Sequence, residues 1–160
     1  MFKTWNFGLV LLLALSIAAC TSEQKPASSS SEAPAQEGLS QEELEKGIGP
    51  IKEVELSDTI DEALAARGQE IFETKCSACH KLDQRFVGPP LGDVLDRRTP
   101  EFVMNMILNP EEMEKKHPVI KELIKEYVAL MPNQQLTPED ARAVLEYLRK
   151  VHMESKQTSN

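Results

Sequence analysis

Five consecutive residues, Cys76-Ser77-Ala78-Cys79-His80, constrain this chain more than any other stretch. C-x-x-C-H is the spacing that attaches a c-type haem. Two thiols three positions apart can each form a thioether to a haem vinyl group, and the imidazole that follows is carried under the iron as its proximal ligand. A thioredoxin-like C-x-x-C pair needs a preceding strand and a βαβ context, and half a zinc site needs a second Cys or His pair. Neither context surrounds residues 76–80. The spacing therefore predicts one covalent haem c, with Cys76 and Cys79 as attachment points and His80 as an iron ligand.

The chain has three cysteines, so the motif leaves only Cys20. Residues 1–19 begin with Lys3, continue through the apolar run Leu9 to Ile17 and end in small residues, the pattern of a secretory signal rather than a membrane span. The junction Ile17-Ala18-Ala19-Cys20 is similar to a bacterial lipoprotein signal, in which the cysteine is lipidated and becomes the first mature residue. Plain secretion with cleavage nearby is the competing reading. On the lipoprotein reading, residues 1–19 are the signal peptide, and Cys20 anchors the protein to a bacterial membrane in the cell envelope. The domain then lies in the periplasm or otherwise outside the cytoplasm, which agrees with attachment of a c-type haem.

A 160-residue chain that loses such a leader has room for one small domain. From Thr21 to Gly38 the residues are mostly Ser, Ala, Pro, Glu and Gln, which bury too little surface to offset the entropy of ordering them. Residues 20–57 are accordingly expected to form the lipidated cysteine and a flexible linker, with a coil dimension of roughly 35 Å. Ile48, Ile51, Val54, Leu56 and Ile60 are apolar enough to pack as an extension of the domain, and the sequence leaves that alternative open. The domain proper is expected over 58–153, with 154–160 as a disordered tail.

Helical signals fill that domain. Leu64, Gly68, Ile71 and Phe72 share one face of a helix over Asp61 to Lys75, leading into the haem motif. Thr99-Pro100-Glu101 reads as an N-cap with proline in the first turn. Phe102, Val103, Met106 and Ile107 then form an apolar stripe before Asn109-Pro110. A third helix is expected from Pro118 to Val128. Thr137-Pro138-Glu139-Asp140 resembles a capping box opening a last helix, along which Ala141, Val144, Leu145, Leu148 and Val151 recur at three and four. Strand signals are scarce outside Ile51 to Leu56, so the fold class is all-α.

From Ala63 to Val151 the order of these features resembles a class I monohaem cytochrome c. Gly68-x-x-x-Phe72 precedes the haem motif, Gly88-Pro89-Pro90-Leu91 follows it, a methionine lies in a loop, and Tyr147-Leu148 sits on the last helix. The resemblance implies a small cytochrome c fold, helices wrapped around one covalently attached haem. It implies that Gly68 lets the first and last helices cross closely, with Phe72 and Tyr147 nearby. It also implies that the Pro89 carbonyl accepts a hydrogen bond from His80, and that Met131, in Ala129-Leu130-Met131-Pro132-Asn133, is the sixth iron ligand. Met104 and Met106 lie in the apolar helical stripe and are read as packing. His117 and His152 are read as solvated surface residues, with a bis-histidine iron as the minority alternative. The only tryptophan is Trp5, in the leader, so Arg97, Arg98 and Asn133 are the candidate propionate partners.

An iron held by both His80 and Met131 keeps no open position for a substrate, so the expected role is a one-electron carrier of a respiratory chain rather than an enzyme. Two alternatives stand beside it: a peroxidase-like enzyme or small-gas sensor with a labile sixth ligand, and the haem subunit of a permanent complex. Lys3 is the one charge in the leader, so its removal takes the formal charge from −8 to −9, which excludes nucleic acid as a natural partner. The expected partners are redox protein donors and acceptors, a terminal oxidase or a nitrogen-oxide reductase among the acceptors, met by a monomer tethered through its lipid. Lys75, Lys81 and Arg85 make the face beside the motif locally basic.

Overall fold

A computed structural model describes residues 38–158. Cys20, the leader and the first part of the expected linker lie outside the described residues. Among the described residues seven α-helices follow in order: α1 (Gln41–Lys46), α2 (Glu62–Ile71), α3 (Val94–Arg97), α4 (Pro100–Leu108), α5 (Pro110–Lys116), α6 (Pro118–Tyr127) and α7 (Pro138–Thr158). No strand occurs among the described residues.

The local signals place these helices where their residues can cap them. Thr99 accepts from the Phe102 N–H with Pro100 in the first turn of α4. At α7 the Thr137 hydroxyl accepts from the Asp140 N–H at 3.1 Å, while Asp140 accepts from the Thr137 N–H at 3.2 Å, closing the expected capping box. Asn109-Pro110 does end α4, but Pro110 then opens α5 as its first residue, a helix the sequence reading missed. Proline serves there because the first helical N–H has no intrahelical acceptor to lose. The last helix continues to Thr158, so residues 154–158 extend α7 rather than forming a disordered tail.

The main core gathers Phe72, Val103, Met104, Ile107, Ala141, Val144, Leu145 and Leu148. Its tightest point is the crossing of α2 and α7. A Cβ on Gly68 would lie 1.9 Å from the Ala143 carbonyl oxygen and 3.0 Å from Tyr147 Cβ, so only glycine permits this approach. One turn further on, the Phe72 and Tyr147 rings meet with centroids 5.4 Å apart at 56°. Beside the crossing, Glu146 is 1% exposed. It accepts from Asp61 N–H at 3.0 Å, from Arg142 at 2.6 Å and from Arg149 at 2.8 Å. Burial would raise its carboxyl, but these donors outweigh burial and hold it below the usual range.

The segment before α2 is an ordered arm, not linker, from residue 38 onward. Ser40 and Glu43 form a capping box at α1. Buried Asn105 of α4 then accepts from Ile51 N–H at 2.9 Å and donates to Lys46 O at 2.9 Å and Ile51 O at 2.8 Å. Asn109 donates to Ile48 O at 3.0 Å and Thr99 to Glu45 O at 3.0 Å. Ile51 and Val54 pack on the main core and Ile48 on a second cluster of Phe102, Met113 and Ile120, whereas Leu56 is exposed.

His117 corrects the surface assignment: it is fully buried between α5 and α6, its Nε2 3.2 Å from Leu44 O, its ring edge-on to Phe102 at 5.0 Å. Burial lowers its basicity, partly offset by the Leu44 carbonyl. His152 is also largely covered, 19% exposed with Nε2 3.5 Å from Asp96.

Candidate functional site

The haem motif is delivered by a change of helical pitch. After Ile71 the chain widens into a π-helical turn, Phe72–Cys76, closed by Ser77 N–H to Phe72 O at 2.9 Å. Such turns occur mostly as single-turn bulges within α-helices, and frequently at functional sites. Cys76 ends this turn, and Cys79 N–H and His80 N–H both return to Cys76 O, at 3.0 and 2.9 Å. The two thiols and the imidazole thus come from one tight stretch of backbone.

All three residues line one large, mostly apolar cavity. Phe72, Leu91, Val94, Phe102, Val103 and Ile107 form apolar walls, while Met131 and its loop neighbours Ala129, Leu130 and Pro132 also border the space. The two sulfurs are not joined to each other, and in the chain before attachment burial, with Cys79 beside it, pushes the Cys76 thiol up to about 11. His80 Nδ1 lies 2.9 Å from Pro89 O. That bond fixes the tautomer with the proton on Nδ1 and leaves Nε2 as the lone-pair nitrogen, without a protein partner. Burial lowers the His80 basicity, and the hydrogen bond to the Pro89 carbonyl partly opposes it. Gly88 is required here too: a Cβ on it would sit 2.5 Å from His80 Cε1. Pro90, the neighbour confusable with Pro89 in sequence, has another task, its carbonyl accepting from Arg97 at 2.9 Å.

The donor set fits a covalent haem: two cysteine sulfurs at thioether spacing, an imidazole nitrogen held ready for iron, a thioether, and apolar walls. Arg97 and Arg98 both border the cavity and could meet anionic propionates. Burial, and Arg97 beside it, lower the Arg98 basicity. Asn133 is not among the lining residues; it donates to Glu111 at 3.3 Å and accepts from Gln135 N–H at 2.8 Å.

The methionines separate less cleanly than the sequence suggested. Met104 is buried in the main core, as expected of a packing residue, but Met106 borders the cavity along with Met131. Neither His117 nor His152 borders it, so geometry gives the bis-histidine alternative no support. The sequence reading also missed Glu114, which lines the cavity and accepts from the Met131 N–H at 2.6 Å. Nothing in Pro110-Glu111-Glu112-Met113-Glu114 distinguishes that glutamate from its solvated neighbours.

Fold and site together define a class I c-type cytochrome. The cytochrome c family model matches residues 65–152, and the chain belongs to that family. It is similar to a solved cytochrome c from Rhodothermus marinus, at 50% identity and TM-score 0.68, over 71% of this chain and 97% of that one. An engineered form of the Rhodothermus marinus protein, bound to a carbene intermediate, is 51% identical over 70% of this chain and 97% of its own, with TM-score 0.64. Among curated proteins none matches. As a member of the family, this protein carries covalent haem c with its iron and is a haem electron-transfer protein.

Proposed function

We propose that the protein is a membrane-tethered one-electron carrier of a respiratory chain, with His80 and Met131 as the two axial ligands. When bound, the haem supplies a one-electron couple between ferrous and ferric iron. The carrying observation is that one cavity is bordered both by an imidazole whose free nitrogen is held ready by Pro89 and by a thioether on a separately anchored loop. With both ligands in place no coordination position is left for a substrate. A thioether favours the ferrous state and raises the potential relative to two imidazoles, and the apolar walls act in the same direction.

Phe86, Val87, Val128 and Leu130 are among the exposed large apolar side chains, and Val87 and Leu130 border the cavity. A short-lived complex with a redox protein would cover this rim, with Lys75 and Lys81 beside it steering the approach of an acidic surface. The lipid on Cys20 and the residues after it would keep a monomeric domain near membrane-bound donors and acceptors, a terminal oxidase or nitrogen-oxide reductase among them, by raising its local concentration.

Two experiments test the proposal. A redox titration should give a reversible one-electron transition, and the reduced protein should bind carbon monoxide slowly or not at all; rapid binding would favour an enzyme or sensor with a labile sixth ligand. Cys20→Ala should release haem-loaded protein from the membrane fraction, since acylation and haem attachment use different cysteines. Retention of the variant on membranes in high salt would refute the lipid anchor.

A further inference from the structure

The loop carrying Met131 joins α6 to α7 without regular structure, and backbone preference alone does not hold it. It leaves α6 through Val128 at φ 53° and approaches α7 through Gln135 at φ 56°. A β-branched residue takes a left-handed φ only where its surroundings impose it. Val128 is the left-handed C-cap of α6, its N–H donating to Ile124 O at 2.8 Å, and Gln135 N–H donates to Asn133 Oδ1 at 2.8 Å; two charged contacts tie the segment to the rest of the domain. Within the loop, the Met131 N–H donates to Glu114 Oε1 of α5 at 2.6 Å, a charge-assisted bond at the edge of the cavity that both residues border. Just before the loop, on the last turn of α6, Arg85, five residues after His80, donates to the Glu126 carboxylate at 2.6 Å and the Glu126 carbonyl at 2.7 Å, with its guanidinium 3.9 Å from the Tyr127 ring centroid.

We propose that Glu114 is a positioning residue for the sixth iron ligand, with Arg85 as a weaker second anchor of the same loop. The inference rests on Met131 being that ligand. Holding the backbone nitrogen of residue 131 against α5 leaves few torsions free, so the thioether is presented to the cavity in a narrow range of positions. Without the carboxylate the loop visits conformations in which the sulfur has left, and a small external ligand then competes for the metal. Arg85 contributes less because its ion pair with Glu126 is half exposed on both sides.

The test uses the full-length ferric holoprotein, with imidazole as the external ligand and the methionine-to-iron charge-transfer band as the readout. Glu114→Ala should raise the apparent imidazole affinity about tenfold, the scale of one hydrogen bond to a charged group. Glu114→Gln keeps an acceptor oxygen and should raise it by no more than about threefold, as should Arg85→Gln. Glu122→Ala removes the same charge from an exposed pair with Lys125, away from the loop, and should leave the affinity at the wild-type value. Covalent haem content should be equal in all variants. If Glu114→Ala stays within about twofold of wild type, or Glu122→Ala matches it, the positioning role is overturned while the axial assignment survives. If instead Met131→Leu retains the charge-transfer band, the assignment and the inference fall together.

Discussion

Asn105→Ala offers a sharp test of how the arm is attached. Asn105 is fully buried and makes three hydrogen bonds to arm backbone, with Ile51 N–H, Lys46 O and Ile51 O, all between 2.8 and 2.9 Å. Truncation leaves those backbone groups without partners, and at about 1 kcal/mol net per bond the loss is about 3 kcal/mol. That is a large share of the roughly 5–15 kcal/mol that stabilises a small domain. If the arm detaches locally, 3 kcal/mol corresponds to roughly a hundredfold faster hydrogen exchange at the Ile51 amide. If it unfolds with the whole domain, the thermal midpoint falls by roughly 10 °C. Asn105→Asp keeps an acceptor for Ile51 N–H but turns a carboxylate toward two carbonyls, so it should do no better. The assays are hydrogen exchange resolved to residues 46–54 and thermal melting of the holoprotein. Unchanged exchange together with an unchanged midpoint would refute the claim that Asn105 clamps the arm.

Gly68→Ala should cost about 2 kcal/mol despite alanine's better helix propensity, because its Cβ would meet the Ala143 carbonyl oxygen at 1.9 Å and a backbone group cannot rotate aside; denaturant unfolding measures it, and a variant as stable as wild type would contradict the crossing. Glu146→Ala should lose about 3 kcal/mol or more by leaving Arg149 and Arg142 without their buried partner. Because the Glu146 carboxyl is held below its ordinary value of 4.5, its contribution is present above that value and is lost as pH falls through the lowered one. Wild-type stability should therefore drop on acidification more steeply than that of Glu146→Gln, and parallel profiles in acid denaturation would contradict the assignment. Cys76→Ala combined with Cys79→Ala should abolish covalent haem; a normal amount surviving acid-acetone extraction would refute the attachment sites.

The features legible in the sequence are those whose meaning is carried within a few residues. Cys76, Cys79 and His80 read as one chemical unit at any place in a chain, and Thr99-Pro100 and Thr137-x-x-Asp140 announce helix starts because caps are satisfied locally. Gly68 and Pro89 were reachable only through resemblance, since the partners that give them meaning are Ala143, 75 positions further on, and the folded-back His80 ring. The arm was only half legible: Ile48, Ile51 and Val54 marked it as a possible extension of the domain, but the sequence could not decide between that and a linker. What decides its order is the set of hydrogen bonds from Asn105, Asn109 and Met113, side chains more than fifty residues away that satisfy its backbone. His117 looks like a surface residue at a helix start until α1 supplies the Leu44 carbonyl that covers it. Glu114 and Glu146 sit in charged stretches where solvated and buried carboxylates have the same spelling.

On the proposed reading Met131, and not another thioether, would hold the iron together with His80. Met106 is the discriminating control because it borders the same cavity from α4. The most direct measurement is the methionine-to-iron charge-transfer band of the ferric holoprotein in Met131→Leu and Met106→Leu, recorded together with the reduction potential. The band should vanish in Met131→Leu and stay, at nearly unchanged potential, in Met106→Leu, where exchange of one packed apolar side chain for another costs under about 1.5 kcal/mol. Met131→His should stay low-spin at a lower potential, since imidazole favours ferric iron more than a thioether does. A band that persists in Met131→Leu and disappears in Met106→Leu would make Met106 the ligand and overturn the assignment of the loop before Thr137 as the distal wall of the haem site.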